Sequence, residues 1–245
     1  MEIQSATALV TGASRRIGRA LALALANNGC GVAIHYNTSE AEALETKARV
    51  RERGVDGEVV QADLADSKEC ERLWKEAVHV MGVAPNILVN NASFFGRASL
   101  NDVSADGFDH AIAVNVRAPM LLAQAMNWEL APEAIGKIFN INDRRQVYRS
   151  RFTYAVTNSA LTGMTKALAV SLAPRIQVNE LRLGVILPLS DDETDNVPSY
   201  SSRTLGPARR TGTLDEVCQA VISVIGNDYI NGASISVDGG LSAID

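Results

Sequence analysis

Three cysteines, Cys30, Cys70 and Cys218, are all this chain has. Odd in number and far apart, they exclude a disulfide framework, and the expectation is reduced thiols and no structural metal. Long apolar runs are missing too. None approaches the roughly 20 residues that span a bilayer, so no membrane partner is expected. No charged n-region followed by an apolar stretch opens the sequence, which points to the cytoplasm. An excess of positive charge is also lacking: 23 Lys and Arg against 28 Asp and Glu leave a net charge of −5. That balance argues against nucleic acid as a partner. No Pro/Gly/Ser-rich linker, charge break, internal repeat or low-complexity tract divides the chain, so residues 1–245 read as one domain. What remains, 47% hydrophobic and 21% charged, is the composition of a globular chain with one sizeable core.

The informative stretch is Thr11-Gly12-Ala13-Ser14-Arg15-Arg16-Ile17-Gly18-Arg19. It follows an apolar run, Ala6 to Val10, and opens a small-residue helical run, Ile17 to Ala26. Strand, glycine turn and helix N-terminus in that order make a phosphate site. Glycine lets the backbone approach a ligand closely, and the helix aims unpaired N–H groups and its positive dipole end at an anion. Glycine turns that bind nothing look similar, so the rest of the chain has to decide.

Downstream, strands and helices alternate. Strands are expected at 32–36, 58–61, 87–90, 137–141, 176–181 and 234–237. Helices are expected from Ser39 to near Gly54, from Ser67 through Val80, around 105–130, over 153–172 and from Thr213. Ser39 and Glu42 have the form of a capping box, and Ser67 is the expected cap of its own helix. This alternation predicts right-handed crossovers and a parallel, doubly wound α/β sheet of the Rossmann kind, with helices on both faces. Its ligand would lie at the carboxyl ends of the strands. Residues 190–210 form an irregular polar segment, the expected substrate flap.

The second strand's end bears on the cofactor. An NAD site places a carboxylate about 20 positions beyond the glycine turn, on the ribose 2′-hydroxyl. Here that place holds His35-Tyr36-Asn37-Thr38-Ser39, and the turn itself carries Arg15 and Arg16. Arginine, hydroxyl and amide donors suit a 2′-phosphate, so NADPH is the expected cofactor.

Together Thr11–Gly18, Asp63-Leu64, Asn90-Asn91-Ala92, Asn115-Val116, Tyr154 and Val237-Asp238-Gly239-Gly240 resemble the short-chain dehydrogenase/reductase family. The likeness is strongest to its pteridine reductases, through Arg16, His35-Tyr36, Ser93, Phe95, Asp143 and Val178-Asn179. The resemblance implies that Gly12, Ser14, Arg16, Ile17 and Gly18 hold the pyrophosphate and 2′-phosphate end. His35, Tyr36, Asn37 and Ser39 would surround the ribose phosphate, Asp63 and Leu64 the adenine, and Asn91, Ala92 and Ser93 the nicotinamide ribose. Phe95 would stack on a flat heterocycle whose rim meets Arg16, Ser93 and Asp143. Tyr154 would donate the proton, with Asp143, Asn115 and Asn158 completing the catalytic set. A homotetramer built on the helices around Asn115 and after Tyr154 is implied as well. Read without the resemblance, Phe95 is equally a core aromatic beside Phe94, and Asp143 a carboxylate paired with Arg144 or Arg145.

One departure stands out. The family's Tyr-x-x-x-Lys reads Tyr154-Ala155-Val156-Thr157-Asn158. Asparagine can hydrogen-bond a ribose hydroxyl but cannot lower the tyrosine pKa by positive charge. Lys166 lies three turns further along the helix and is no substitute. Arg144, Arg145, Arg149 and Arg151 are the nearby cations that would supply a field or hold an acidic substrate tail. The expectation is an NADPH-dependent reductase of a C=N or C=O bond in a pterin-like substrate. The alternatives are reduction of a non-pterin carbonyl compound, or an NADP(H)-binding protein with little turnover.

Overall fold

The computed structural model describes residues 1–144, 150–187 and 205–244. In chain order they form β1 (Thr7–Val10), α1 (Arg16–Asn27), β2 (Gly31–Tyr36), α2 (Glu40–Arg51), β3 (Gly57–Gln61) and α3 (Ser67–Met81). Then come β4 (Ile87–Asn90), α4 (Ala105–Ile112), α5 (Ala118–Glu129), β5 (Gly136–Asp143) and α6 (Phe152–Ser171). The chain closes with β6 (Ile176–Leu183), α7 (Leu214–Ile225) and β7 (Ser234–Val237). The seven strands lie in the order β3-β2-β1-β4-β5-β6-β7, and every pairing is parallel. The winding direction reverses between β1 and β4, and the crevice beyond their carboxyl ends is where such sheets bind ligands.

β1 and β4 are buried along their whole length. Strands covered on both faces need no polar alternation, which is why they read as plain apolar runs. Leu21 and Leu25 of α1 pack with Val217 and Val221 of α7 on one face. Leu73 and Trp74 of α3 pack with Leu122 and Met126 of α5 on the other. Between α4 and α5 the helix widens into one π turn, Ala113–Arg117, centred on Asn115. Such turns reaim a side chain at a functional site.

Two caps differ from expectation. Ser39 does stand at the N-cap of α2, but its side chain makes no capping hydrogen bond. Asp66 rather than Ser67 caps α3, accepting from the Lys68 N–H; both residues suit the position, and the extended backbone falls at Asp66. A capping box does form at α7, between Thr213 and Glu216. Most of the expected flap, 190–204, lies outside the described residues, as do Arg145 and Arg149. No helix of the described residues is long and apolar enough to cross a membrane.

Candidate active site

The glycine turn joins β1 to α1 at the switch point. Gly12 has φ +61°, and a Cβ there would press on Ala92 Cα at 3.1 Å. At Gly18 a Cβ would collide with the Gly12 carbonyl and the Asn91 amide. Helix α1 therefore sits against the turn at a distance that only glycine permits. Its N-cap, Arg15, provides no side-chain cap, so the first-turn N–H groups face the crevice with their positive dipole end.

His35 holds this turn from beneath. Gly12 N–H donates to its Nδ1 at 3.0 Å, and Nε2 meets the Ala62 carbonyl at 3.1 Å. The ring is thus neutral, with its proton on Nε2, and burial pulls its pKa from 6.5 down to about 4. Both ring nitrogens are spent on backbone, so His35 offers no donor to a ribose phosphate; it shapes the turn instead. The Gly12 N–H is thereby taken, and what Gly12 gives the turn is its shape. The Tyr36 hydroxyl meets Glu40. A pH dependence follows from His35. As pH falls from about 6.5 to 4, the unfolded chain takes up a proton that the folded ring refuses, so stability should drop by about 1.4 kcal/mol per pH unit. Urea midpoints across that range should show the slope, and His35→Gln should flatten it.

Two cavities open from the switch point. One, of about 430 Å³, runs along Gly12, Ser14, Arg15, Asn37, Thr38, Ser39, Asp63 and Leu64. The other, of about 400 Å³, is lined by Phe95, Asn115, Asn142, Asp143, Arg144, Tyr154, Asn158 and the apolar residues Leu183 and Val185–Leu187. Arg16, Ile17, Asn91, Ala92 and Ser93 form the wall that they share. The first has the polar donors of a nucleotide arm. The second has the mixed apolar and ionisable lining of a reaction chamber. The expected cofactor and substrate residues on these walls are thus brought together. Arg15 joins them, although only its charge was legible in the sequence.

Asn115 ties three elements together. Its Oδ1 accepts from Phe94 N at 2.7 Å, while its Nδ2 donates to the Phe94 carbonyl and to Thr157 Oγ1, both at 3.0 Å. The π turn so fastens the Ser93–Phe95 loop to α6, one turn after Tyr154.

Tyr154 is edge-on to Phe95, ring centres 4.5 Å apart. The guanidinium of Arg151, a buried residue, lies 3.5 Å above the Phe95 ring and donates to the Phe95 carbonyl at 2.7 Å. Arg151 was one of four arginines that look alike in the sequence; of the two among the described residues, Arg144 lines the chamber and Arg151 lies against Phe95. Burial, and next the charge of Asp143, push the Tyr154 phenol above its usual 10, while Asn158 and Arg151 pull more weakly the other way. The phenol therefore stays protonated at neutral pH. Asn158 is buried; its amide faces the Tyr154 phenol and pulls on it, at a geometry short of a full hydrogen bond. A buried donor only partly met on the wall of the chamber can still take a ligand oxygen.

Arg16 has φ +54°, a left-handed conformation that costs an L-residue about 1–2 kcal/mol. Glycine would hold the turn without strain, so the side chain has a use. Arg16→Gly should be more stable to urea than Arg16→Ala by about 1 kcal/mol. Both should narrow a preference for NADPH over NADH by about tenfold or more, the worth of a charge-assisted hydrogen bond. Titrations with the two cofactors would check this, and an unchanged ratio of dissociation constants would remove Arg16 from the phosphate end.

Among the described residues no three His, Cys, Asp or Glu side chains come together as a metal site. A parallel sheet, a glycine turn at its switch point and a half-buried tyrosine beside a two-part cleft define a dinucleotide-dependent oxidoreductase. The family profile described as Enoyl-(Acyl carrier protein) reductase matches residues 12–242. Short-chain dehydrogenase/reductase FrzI of Cladobotryum sp is 32% identical over 97% of this chain and 96% of its own. The 3-oxoacyl-[acyl-carrier-protein] reductase FabG of Staphylococcus aureus (strain Mu50) is 30% identical, covering 96% of this chain and 97% of its own. Among solved structures, FolM Alternative dihydrofolate reductase 1 from Brucella canis, complexed with NADP, superposes with a TM-score of 0.89. It is 33% identical, over 99% of this chain and 96% of that one. The chain belongs to the short-chain dehydrogenase/reductase family of oxidoreductases.

Proposed function

We propose that the chain is an NADPH-dependent reductase acting on a C=N or C=O bond of a small, flat, pterin-like heterocycle. The observation that carries this reading is the chamber itself: Phe95, Tyr154, Asp143 and Arg16 line one cavity that shares a wall with the nucleotide cleft. An aromatic face, a carboxylate and a guanidinium match a ring that is apolar on its faces and polar at its rim. Likeness to a dihydrofolate reductase complexed with NADP supports the same substrate class.

The residues fit the cofactor. Arg15, Arg16, Asn37 and Ser39 would receive the 2′-phosphate end, the uncapped start of α1 the pyrophosphate, and Asp63 and Leu64 the adenine. Asn91, Ala92 and Ser93 would border the nicotinamide ribose. The buried Asn158 Nδ2, which only partly meets the Tyr154 phenol, is a donor that a ribose hydroxyl would complete. When bound, NADPH supplies the hydride. Tyr154, half-buried and protonated, gives the proton to the substrate heteroatom that gains charge. Asp143 holds the rim of the ring and, by its charge, keeps that proton on the phenol. Phe95, clasped by Arg151, sets the plane on which the ring lies.

A second reading, reduction of a non-pterin carbonyl compound, is favoured by the likeness to FabG. Nicotinamide absorbance should be followed with NADPH and a panel of dihydropterins, quinonoid pterins and diketones. Turnover of pterins alone supports the first reading, of diketones alone the second, and tight NADPH binding without turnover a cofactor-holding protein. We propose also that copies associate into a homotetramer through the α5 and α6 surfaces, where Trp128 is 70% and Val170 81% exposed.

A further inference from the structure

Glu180 is a charged residue in the middle of β6 with no exposed surface. A carboxylate that is fully enclosed has to be surrounded by donors. Ser234 Oγ donates at 2.6 Å, Thr162 Oγ1 at 3.1 Å and Asn142 Nδ2 at 3.2 Å. The third bond leads to the chamber. Asn142, itself buried, also donates from Nδ2 to the Asn158 carbonyl at 3.0 Å. With Oδ1 it accepts from Asp143 N–H at 2.8 Å. One amide therefore holds the backbone of both Asp143 and Asn158, which stand on different elements.

Glu180 Oε2, Thr162 Oγ1 and the Asn158 carbonyl all accept from Asn142 Nδ2, which turns the NH₂ edge of Asn142 toward them and leaves Oδ1 for Asp143. On the far side Arg182, two residues along β6, donates to the Arg144 carbonyl at 2.8 Å. The end of β5 is thus fastened from both neighbours on β6. We propose that Glu180 is a positioning residue: through Asn142 it sets Asp143 at the substrate rim and holds Asn158 where its amide meets the ribose. This rests on the NADP(H) reading above, in which Asn158 is the ribose donor.

NADPH affinity, with urea stability measured beside it, tests the idea without any substrate. Asn158→Ala should weaken NADPH about fivefold or more, the worth of one hydrogen bond. Glu180→Met fills the same space and removes the acceptor, and should weaken NADPH by a similar factor. Glu180→Gln should keep parent affinity, because its Oε1 still accepts from Asn142 while the Thr162 and Ser234 hydroxyls turn to accept from its NH₂. Glu180→Met with Asn158→Ala should bind no worse than Asn158→Ala alone, since both break one chain of contacts. If Asn158→Ala binds NADPH like the parent, the ribose-donor reading fails first. If Asn158→Ala is weak while Glu180→Met binds normally, or if the losses multiply in the double variant, Glu180 is no more than a buried polar tie. Should Glu180→Met lack a cooperative unfolding transition, Asn142→Ala takes its place in the same cycle under the same criteria.

Discussion

Tyr154→Phe is expected to slow reduction roughly 10²–10⁴-fold, the usual contribution of a positioned general acid. The substitution removes one oxygen and keeps the ring that meets Phe95 edge-on at 4.5 Å. Folding and NADPH affinity should hardly change, so the loss should fall on kcat. The pH profile gives a second check. Burial and Asp143 hold the phenol above its ordinary pKa, so the acid form persists through neutral and mildly alkaline solution. Reduction should then show no alkaline decline assignable to Tyr154 below about pH 10. Asp143→Asn removes a charge that raises the phenol and should bring such a decline toward neutrality. A phenylalanine variant as fast as the parent would take the proton donor away from Tyr154, whatever the cofactor result.

Why some of this was legible in the residues and some was not follows from range. β1 and β4 announce themselves locally, because a strand covered on both faces must be apolar throughout. The turn at Gly12 and Gly18 is local too, since the backbone shape demands glycine within one short stretch. His35 marks the first limit. A histidine at a strand end points either toward ligand or into the protein, and only the meeting with Gly12 N–H and the Ala62 carbonyl decides. Arg151 marks the second: it looks like the arginines near it in the sequence until packing places it against Phe95. Glu180 and Asn142 mark the third, being 38 residues apart and joined by a single bond. A glutamate inside the otherwise strand-like run Ile176–Leu183 was a usable signal of a buried polar centre, but its partners were not.

Asn158→Lys is expected to raise the rate in both directions and to move the pH dependence of alcohol oxidation. A cation beside the phenol favours tyrosinate, and an opposite charge within about 4–6 Å lowers a pKa by roughly 1–3 units. Each unit is about tenfold in the population of phenolate at a pH below the pKa. Alcohol oxidation, which needs phenolate as base, gains only part of that population factor at neutral pH, because a phenolate of lower pKa is also a weaker base. Reduction gains by the same factor in kcat/KM through the greater acidity of the phenol, since one overall equilibrium constant fixes the ratio of the two directions at a given pH. The parent Asn158 cannot provide this field, and Arg151 provides only part of it, being the weakest of the four influences on Tyr154. If the parent reduces substrate, Asn158→Lys should raise kcat/KM in both directions together, and the pH limb of alcohol oxidation that reports the phenol should move toward neutrality. If the parent only holds NADP(H), weak turnover should appear where none existed. A gain in rate with no movement of that pH limb would mean that the lysine improves ribose binding and leaves Tyr154 untouched, and the electrostatic account of this site would then be wrong.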